Sequence, residues 1–241
     1  MENIEISAQV LYEAKRNFLN YGGEGYIYKP DSTSIYKIFK TDEKDVLENK
    51  LAKIIKLNQL GIDFLTNPAA TLSCNHKFVG YKMNYDEDDM NWFNTFMTLD
   101  EKIKYLKTLK DDLLVLEQHG ILYADIKDDN FLINRKTGML KFCDIDNVQI
   151  DGLKVDQSQY ISRCIQDNNL LFDNSIHAFM HNLYTLEQLV GLDIYTHDDL
   201  TDLVNNKYFE IFNDNQEQIL ENMVLLKKRK ISGRYLIDNL R

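Results

Sequence analysis

The sequence predicts an α+β chain, with a small antiparallel β-sheet carrying one helix followed by a mainly helical second half. Three observations predict it. Residues 17–39 are rich in aromatic and β-branched residues broken by turn formers, residues 42–60 switch to a helical period, and most of the chain beyond residue 90 keeps that period apart from one short hairpin.

In chain order, Asn17 to Tyr21 and Tyr26-Ile27-Tyr28 read as strands flanking the cluster Gly22-Gly23-Glu24-Gly25. Ser34 to Phe39 reads as a third strand after the turn at Pro30-Asp31-Ser32. From Asp42 to Leu60, the residues Leu47, Leu51, Ile54, Ile55 and Asn58 share one helical face, and Gly61 is the stop. Lys77 to Tyr85 resumes a strand pattern. The acidic run Tyr85-Asp86-Glu87-Asp88-Asp89 ends it and divides the chain into residues 1–84 and 85–241; the run itself reads as solvated surface.

In the second part, Leu99 to Gln118 carries Ile103, Leu106, Leu109, Leu113, Leu114 and Leu116 at helical spacing. Phe131-Leu132-Ile133 and Leu140-Lys141-Phe142-Cys143 form a hairpin around Arg135-Lys136-Thr137-Gly138. Further helices are expected at 174–190, 198–206, 214–227 and 232–240.

Composition narrows the function classes. Lys and Arg number 28 against 38 Asp and Glu, a formal net charge of -10, and the only basic run is Lys227-Lys228-Arg229-Lys230. A nucleic-acid protein relies on a basic face, so nucleic acid is not an expected partner. No stretch approaches the ~20 apolar residues of a membrane span, and Met1-Glu2-Asn3-Ile4-Glu5 does not begin like a signal peptide. Cys74, Cys143 and Cys164 are an odd number at no metal-ligand spacing, which fits a reducing compartment. A cytoplasmic protein is expected, or one acting in a host cytoplasm if specialised secretion exports it. His177 and His181 have a metal-compatible spacing but no accompanying ligand, and read as ordinary helix residues.

The most informative segment is Tyr123-Ala124-Asp125-Ile126-Lys127-Asp128-Asp129-Asn130, followed by Asp144 in Phe142-Cys143-Asp144-Ile145-Asp146. A carboxylate that orients a hydroxyl, a cation for a transferring phosphoryl group, and an amide plus a carboxylate for magnesium are the parts of phosphoryl transfer. The segment resembles the catalytic loop of the protein-kinase superfamily, H-R-D-L-K-x-x-N, and Asp144 resembles the Asp of D-F-G. Upstream, Asn20-Tyr21-Gly22-Gly23-Glu24-Gly25-Tyr26-Ile27 is similar to the kinase glycine loop at its second and third glycines, with Asn20 in place of the first. Lys37 in Ile35-Tyr36-Lys37 resembles the strand lysine of V-A-I-K.

The resemblance covers about residues 19–147 and implies a bilobal protein-kinase-like fold, with ATP and Mg2+ as cofactors and a Ser/Thr hydroxyl of a protein as acceptor. By position it implies that Asp125 orients the acceptor hydroxyl, Lys127 neutralises the γ-phosphoryl group, and Asn130 and Asp144 ligate Mg2+. Lys37 would clamp the nucleotide phosphates beneath Gly22, Gly23 and Gly25, and Glu48 would hold Lys37, with Glu43 as the alternative partner. Leu19, Ile27, Ile35, Met83 and Leu132 would surround the adenine, with the backbone of Asn84-Tyr85-Asp86 as the hinge.

Farther on, Asp173-Asn174-Ser175-Ile176-His177-Ala178 resembles the start of the central helix of the kinase C-lobe. Lys228-Arg229-Lys230-Ile231-Ser232 resembles the segment that closes the domain. The chain departs from the pattern at Ala124, where many kinases have the Arg that receives an activation-loop phosphate, and constitutive activity follows. It departs again at Asp146, which replaces the D-F-G glycine. If the backbone there is extended, Asp144 and Asp146 point to the same side, leaving two roles for Asp146: a further metal ligand or a hydrogen-bond acceptor. The segment after Asp146 is short and holds no A-P-E. Besides a minimal Ser/Thr kinase, two readings stand: a pseudokinase that binds nucleotide or protein, and a kinase-fold enzyme acting on a small molecule.

Overall fold

The computed structural model describes residues 1–92, 95–123 and 125–153, together with His181, Tyr184, Thr185 and Gln188. The described chain is mixed α/β, and it divides into two compact units. The first holds Met1–Asn94 and Asp129–Val148; the second holds Thr95–Asp128 and Gln149–Asp151. The division therefore differs from a single cut after residue 84. Residues 89–91 and the hairpin 131–142 belong with the N-terminal part because they pair with each other in one sheet.

The main sheet of the first unit has six strands: β1 (Glu2–Glu5), β2 (Asn20–Tyr21), β3 (Gly25–Tyr28), β4 (Ser34–Phe39), β5 (Ala70–Cys74) and β6 (Lys77–Asn84), in the order β1-β5-β6-β4-β3-β2. Its neighbours are antiparallel except β1 and β5, which run parallel with Glu2 opposite Ala70. The expected sheet is thus larger than the sequence suggests and not wholly antiparallel. β5 escapes a pattern reading because Ala-Thr-Leu-Ser-Cys lacks alternation, and all five of its residues are buried.

Two helices cover the two faces of this sheet. α1 (Ala8–Arg16) starts at Ser7, whose hydroxyl accepts from the Val10 amide at 3.2 Å. Its Ala14 packs with Ile6, Ile38, Leu72 and Cys74. α2 (Lys44–Leu60) ends at Gly61, whose φ of 61° gives the left-handed C-terminus that the glycine predicts. Ile54 of α2 packs with Phe39 and Tyr81, backed by Leu47, Phe78 and Met83. Along β4 the alternation sends Ile38 to the α1 side and Phe39 to the α2 side.

A second sheet of the first unit orders β10 (Leu140–Phe142), β9 (Phe131–Asn134) and β7 (Asp89–Asn91). The expected hairpin forms. Gly138, at φ 68°, lets its amide donate to the Asn134 carbonyl at 2.7 Å. The Asn134 side chain closes the turn by accepting from the Thr137 amide at 3.0 Å.

In the second unit, α3 (Leu99–Gln118) begins with a reciprocal capping box between Thr98 and Glu101. Leu106, Leu109, Leu113 and Leu116 form its buried stripe, while Leu114 is exposed. β8 (Ile121–Tyr123) follows and pairs with β11 (Val148–Ile150). His181, Tyr184, Thr185 and Gln188 are helical, within the expected helix 174–190. The expected helices 198–206, 214–227 and 232–240, and the segments 173–178 and 228–232, lie outside the described residues, as do Ala124, Cys164 and His177. Among the described residues no helix is long and apolar enough to cross a membrane.

Candidate functional site

Lys37 sits in the middle of β4, opposite Ile27 on β3 and Tyr81 on β6. Two glycines let the strands close around it. A Cβ at Gly80 would lie 1.9 Å from the Lys37 carbonyl oxygen, and one at Gly25 would lie 2.9 Å from that of Ile38. The ammonium of Lys37 is buried and donates to Asp144 Oδ1 and, at 2.5 Å, to Asp146 Oδ1. Asp146 is wholly buried and also accepts from Tyr81 Oη and Lys50 Nζ, each at 2.9 Å. Lys50, on α2, reaches back to Glu24 of the glycine loop at 2.9 Å.

These charges hold one another in place. Burial pushes the Asp146 carboxyl up, but Lys37 and Lys50 outweigh it and keep the group well below the usual carboxylate range. Burial likewise opposes the charge on Lys37, and Asp144 with Asp146 outweighs it, raising Lys37 well above the ordinary lysine value. Lys50 is raised by the same balance, with burial opposed by Asp146 and Glu24. Tyr81 is raised by burial and by Asp146, so it stays a neutral donor.

Asp144 follows β10, and β10 is anchored at its last residue. The Phe142 amide donates to the Phe64 carbonyl at 2.7 Å, the Phe142 carbonyl accepts from the Thr66 amide at 2.9 Å, and the rings of Phe64 and Phe142 lie 5.3 Å apart. Phe131 meets Phe142 edge-on at 5.1 Å. The chain then turns. Asp144 takes a left-handed φ of 58°, a conformation that Asp tolerates better than most residues, and the Asn147 amide donates to the Asp144 carbonyl at 3.2 Å. Asp144 and Asp146 do face the same lysine, but through this turn and not along an extended strand. Asp146 accepts hydrogen bonds from two lysines and a tyrosine, which engage both its oxygens.

Asn130 ends a 3₁₀ turn at Asp128–Asn130, is buried, and accepts through its carbonyl from the Cys143 amide at 2.9 Å. The residues named for magnesium thus belong to one unit, tied by the backbone of Cys143. Mg2+ keeps several waters and takes one or two protein carboxylates beside phosphate oxygens, so one amide and one carboxylate are a donor set that fits it. At Gly22 and Gly23 an added Cβ would have no neighbour within 4 Å, so the space beside the loop is open there. Among the described residues no cluster of three or more His, Cys, Asp or Glu is assembled to hold a metal.

In the second unit, Asp125 lies just past β8, with Ala124 between them. It is buried and bonded by Lys127 Nζ at 2.9 Å, with the Lys127 side chain 41% exposed. Asp128 accepts from Gln188 Nε2 at 3.0 Å, and His181 Nε2 lies 3.1 Å from the Leu106 carbonyl, which gives this histidine a structural partner.

Glu48 is not the partner of Lys37. It is exposed and pairs with Lys44 at 3.6 Å; the alternative, Glu43, is the exposed N-cap of α2. The reason is the helical face: the buried residues of α2 are Lys50, Lys53, Ile54 and Leu57, and Glu48 lies off that stripe. Pattern reading misses Lys50, Tyr81 and Glu24, because apolar periodicity gives a buried lysine no weight. Ile35 is buried and paired with Met83; Ile27 and Leu132 are half-buried, and Leu19 is exposed with its amide on the Ile27 carbonyl at 2.7 Å. The Tyr85 amide donates to the Thr33 carbonyl at 2.8 Å, and Lys29 lies 3.4 Å from the centre of its ring.

The acidic run is not merely solvated. Asp89 holds Lys141 at 2.8 Å and Asn134 at 2.8 Å, Asp86 accepts from Asn134 at 2.8 Å, and Asp88 pairs with Lys136 at 3.0 Å, so the run clasps the hairpin. Compared with protein-family models and with curated proteins, the sequence matches none.

Proposed function

We propose that the protein is an ATP- and Mg2+-dependent phosphotransferase of protein-kinase type, most concretely a minimal Ser/Thr protein kinase with a bilobal kinase-like fold. The observation that carries the reading is the ion pair between Lys37 and Asp144. Motif spacing singles out both residues, they stand 107 positions apart, and the fold brings them into contact. Chance placement of a strand lysine and a loop aspartate does not require such a meeting. The Asp125–Lys127 pair of the second unit adds the acceptor-directed half of the same motif set.

In this reading each residue has a distinct task. Lys37 presents a fixed positive charge to the α- and β-phosphates, and Gly22 and Gly23 leave room for phosphate to approach the loop. Asn130 and Asp144 would hold the Mg2+, which when bound neutralises charge on the phosphate oxygens. Asp125 accepts the proton of the acceptor hydroxyl as its oxygen bonds to the γ-phosphorus and the bond to the bridging oxygen of ADP breaks. Lys127, bonded to Asp125, supplies positive charge beside the group in transfer.

The test uses the purified chain with γ-labelled ATP and Mg2+, alone and with a cell extract, beside Asp125→Asn and Asp144→Asn. Label on protein that is lost in both variants supports the reading. Nucleotide binding without transfer to any acceptor contradicts it in favour of a pseudokinase, and label confined to small molecules moves the acceptor class.

A further inference from the structure

Lys50 has no part in the motif set, yet it stands at the centre of the site. Its side chain is 3% exposed, and its ammonium bonds Asp146 Oδ2 and Glu24 Oε2, each at 2.9 Å. Asp146 offers its other oxygen to Lys37. A single carboxylate therefore bridges two lysines, one on the central strand and one on the covering helix. The glycine loop is held at two points: Lys50 bonds its Glu24, and Lys40 Nζ reaches the Gly22 carbonyl at 2.5 Å. The helix acts on Lys37 with a cation through Asp146, where a carboxylate on the helix would act on it directly.

We infer that Lys50 is a positioning residue for phosphotransfer: through Asp146 it fixes the ammonium of Lys37, and through Glu24 it fixes the glycine loop. This rests on the phosphotransferase reading and assigns that site its internal control. Two features favour positioning over packing. A buried lysine is costly unless its charge is used, and an apolar residue would fill the same stripe beside Ile54 at less expense. Lys50 also has no direct link to Asp144, so its effect on the metal-directed carboxylate runs through Lys37.

The experiment compares full-length wild type with Lys50→Met, which keeps length without charge, and Lys50→Arg, which keeps charge. Each is checked for folding by circular dichroism and thermal melting. Transfer is then measured at limiting and saturating Mg·ATP. For folded Lys50→Met we expect kcat to fall at least about tenfold, and for Lys50→Arg to stay within about threefold of wild type. If the Met variant does not fold, Lys50→Gln, which keeps a donor for Asp146 without the charge, carries the same expectation. A folded, uncharged variant with kcat within twofold of an active wild type overturns this role alone. A wild type that transfers no phosphate overturns the phosphotransferase reading, and this role with it.

Discussion

The lysine–aspartate pairs Lys37–Asp146 in the first unit and Lys127–Asp125 in the second are built in opposite ways. In the first unit Lys37 and Asp146 are almost wholly removed from water, with side-chain exposures of 5% and 0%, and further donors fill the carboxylate. In the second, Asp125 is buried but Lys127 is 41% exposed. The first arrangement is saturated and fixed: every charge is answered, and moving one member strands another. The second leaves a cation at the surface, able to exchange its partner. The contrast separates a pair locked away from water from one whose cation stays in reach of solvent. Spending desolvation on Lys37, Lys50 and Asp146 makes sense only where a charge must stay put.

The contrast can be broken most strongly at Asp146. Asp146→Ala leaves two lysines buried without their shared carboxylate and is expected to cost about 3–5 kcal/mol in denaturant unfolding. Asp125→Asn is expected to cost less, because Lys127 is 41% exposed and can turn to water. Equal losses in the two variants would erase the distinction.

Next in size is Gly80→Ala. The added Cβ would sit 1.9 Å from the Lys37 carbonyl, so β4 and β6 must separate where Lys37 is held. A loss of about 1–3 kcal/mol is expected, visible as a lowered melting temperature. Gly22→Ala, with open space at its Cβ, serves as the control and should leave the melt unchanged.

Acid provides a third, smaller test. The folded-state pKa of Asp146 is depressed, so its contribution is full above its unfolded value of about 4 and is lost as pH falls through the lower folded value. Lys37 and Lys50 are raised, so their contributions persist below about pH 10 and are lost only as pH rises through their folded values. Stability from this cluster should therefore be level near neutrality. The wild-type and Asp146→Asn curves should converge as pH drops below about 4; parallel curves down to pH 2 would contradict the assignment.

The smallest effect is expected at Asp112 on α3, a half-buried carboxylate beside Asp111. Burial, with help from Asp111, raises it to about 7. Here the sign reverses: the folded state holds the proton more tightly, so stability declines as pH rises from about 4 to about 7. Asp112→Asn should stabilise the protein at pH 8, by on the order of 1 kcal/mol given its partial exposure, and do nothing at pH 4. Denaturant midpoints at the two pH values check it.

Much of this arrangement is legible in the sequence, for reasons that differ by residue. The strands around Lys37, the helix ending at Gly61 and the hairpin turning at Gly138 follow from local chemistry, because turn formers and period changes act within a few residues. Lys37 and Asp144 are legible as a pair only through motif spacing, since nothing local predicts a contact 107 residues apart. Lys50 is illegible: a lysine on a helix reads as solvent-facing, and only the fold reveals that its face is covered. β1 and β5 are hidden for a related reason, as they pair over a long separation and β5 has no alternation to show. Glu48 shows the converse error, in which a carboxylate at plausible spacing lies on the wrong face of α2.

The central proposal is that Asp125 takes part in phosphate transfer and that Lys37, Asn130 and Asp144 serve nucleotide and metal. The most direct measurement separates binding from transfer in one variant, by titrating wild type and Asp125→Asn with Mg·ATP and then following γ-phosphate release to a protein acceptor. The account predicts equal nucleotide affinity and a transfer rate at least about 100-fold lower in the variant. Equal transfer by the two proteins, or a wild type that binds Mg·ATP and transfers nothing, would contradict it.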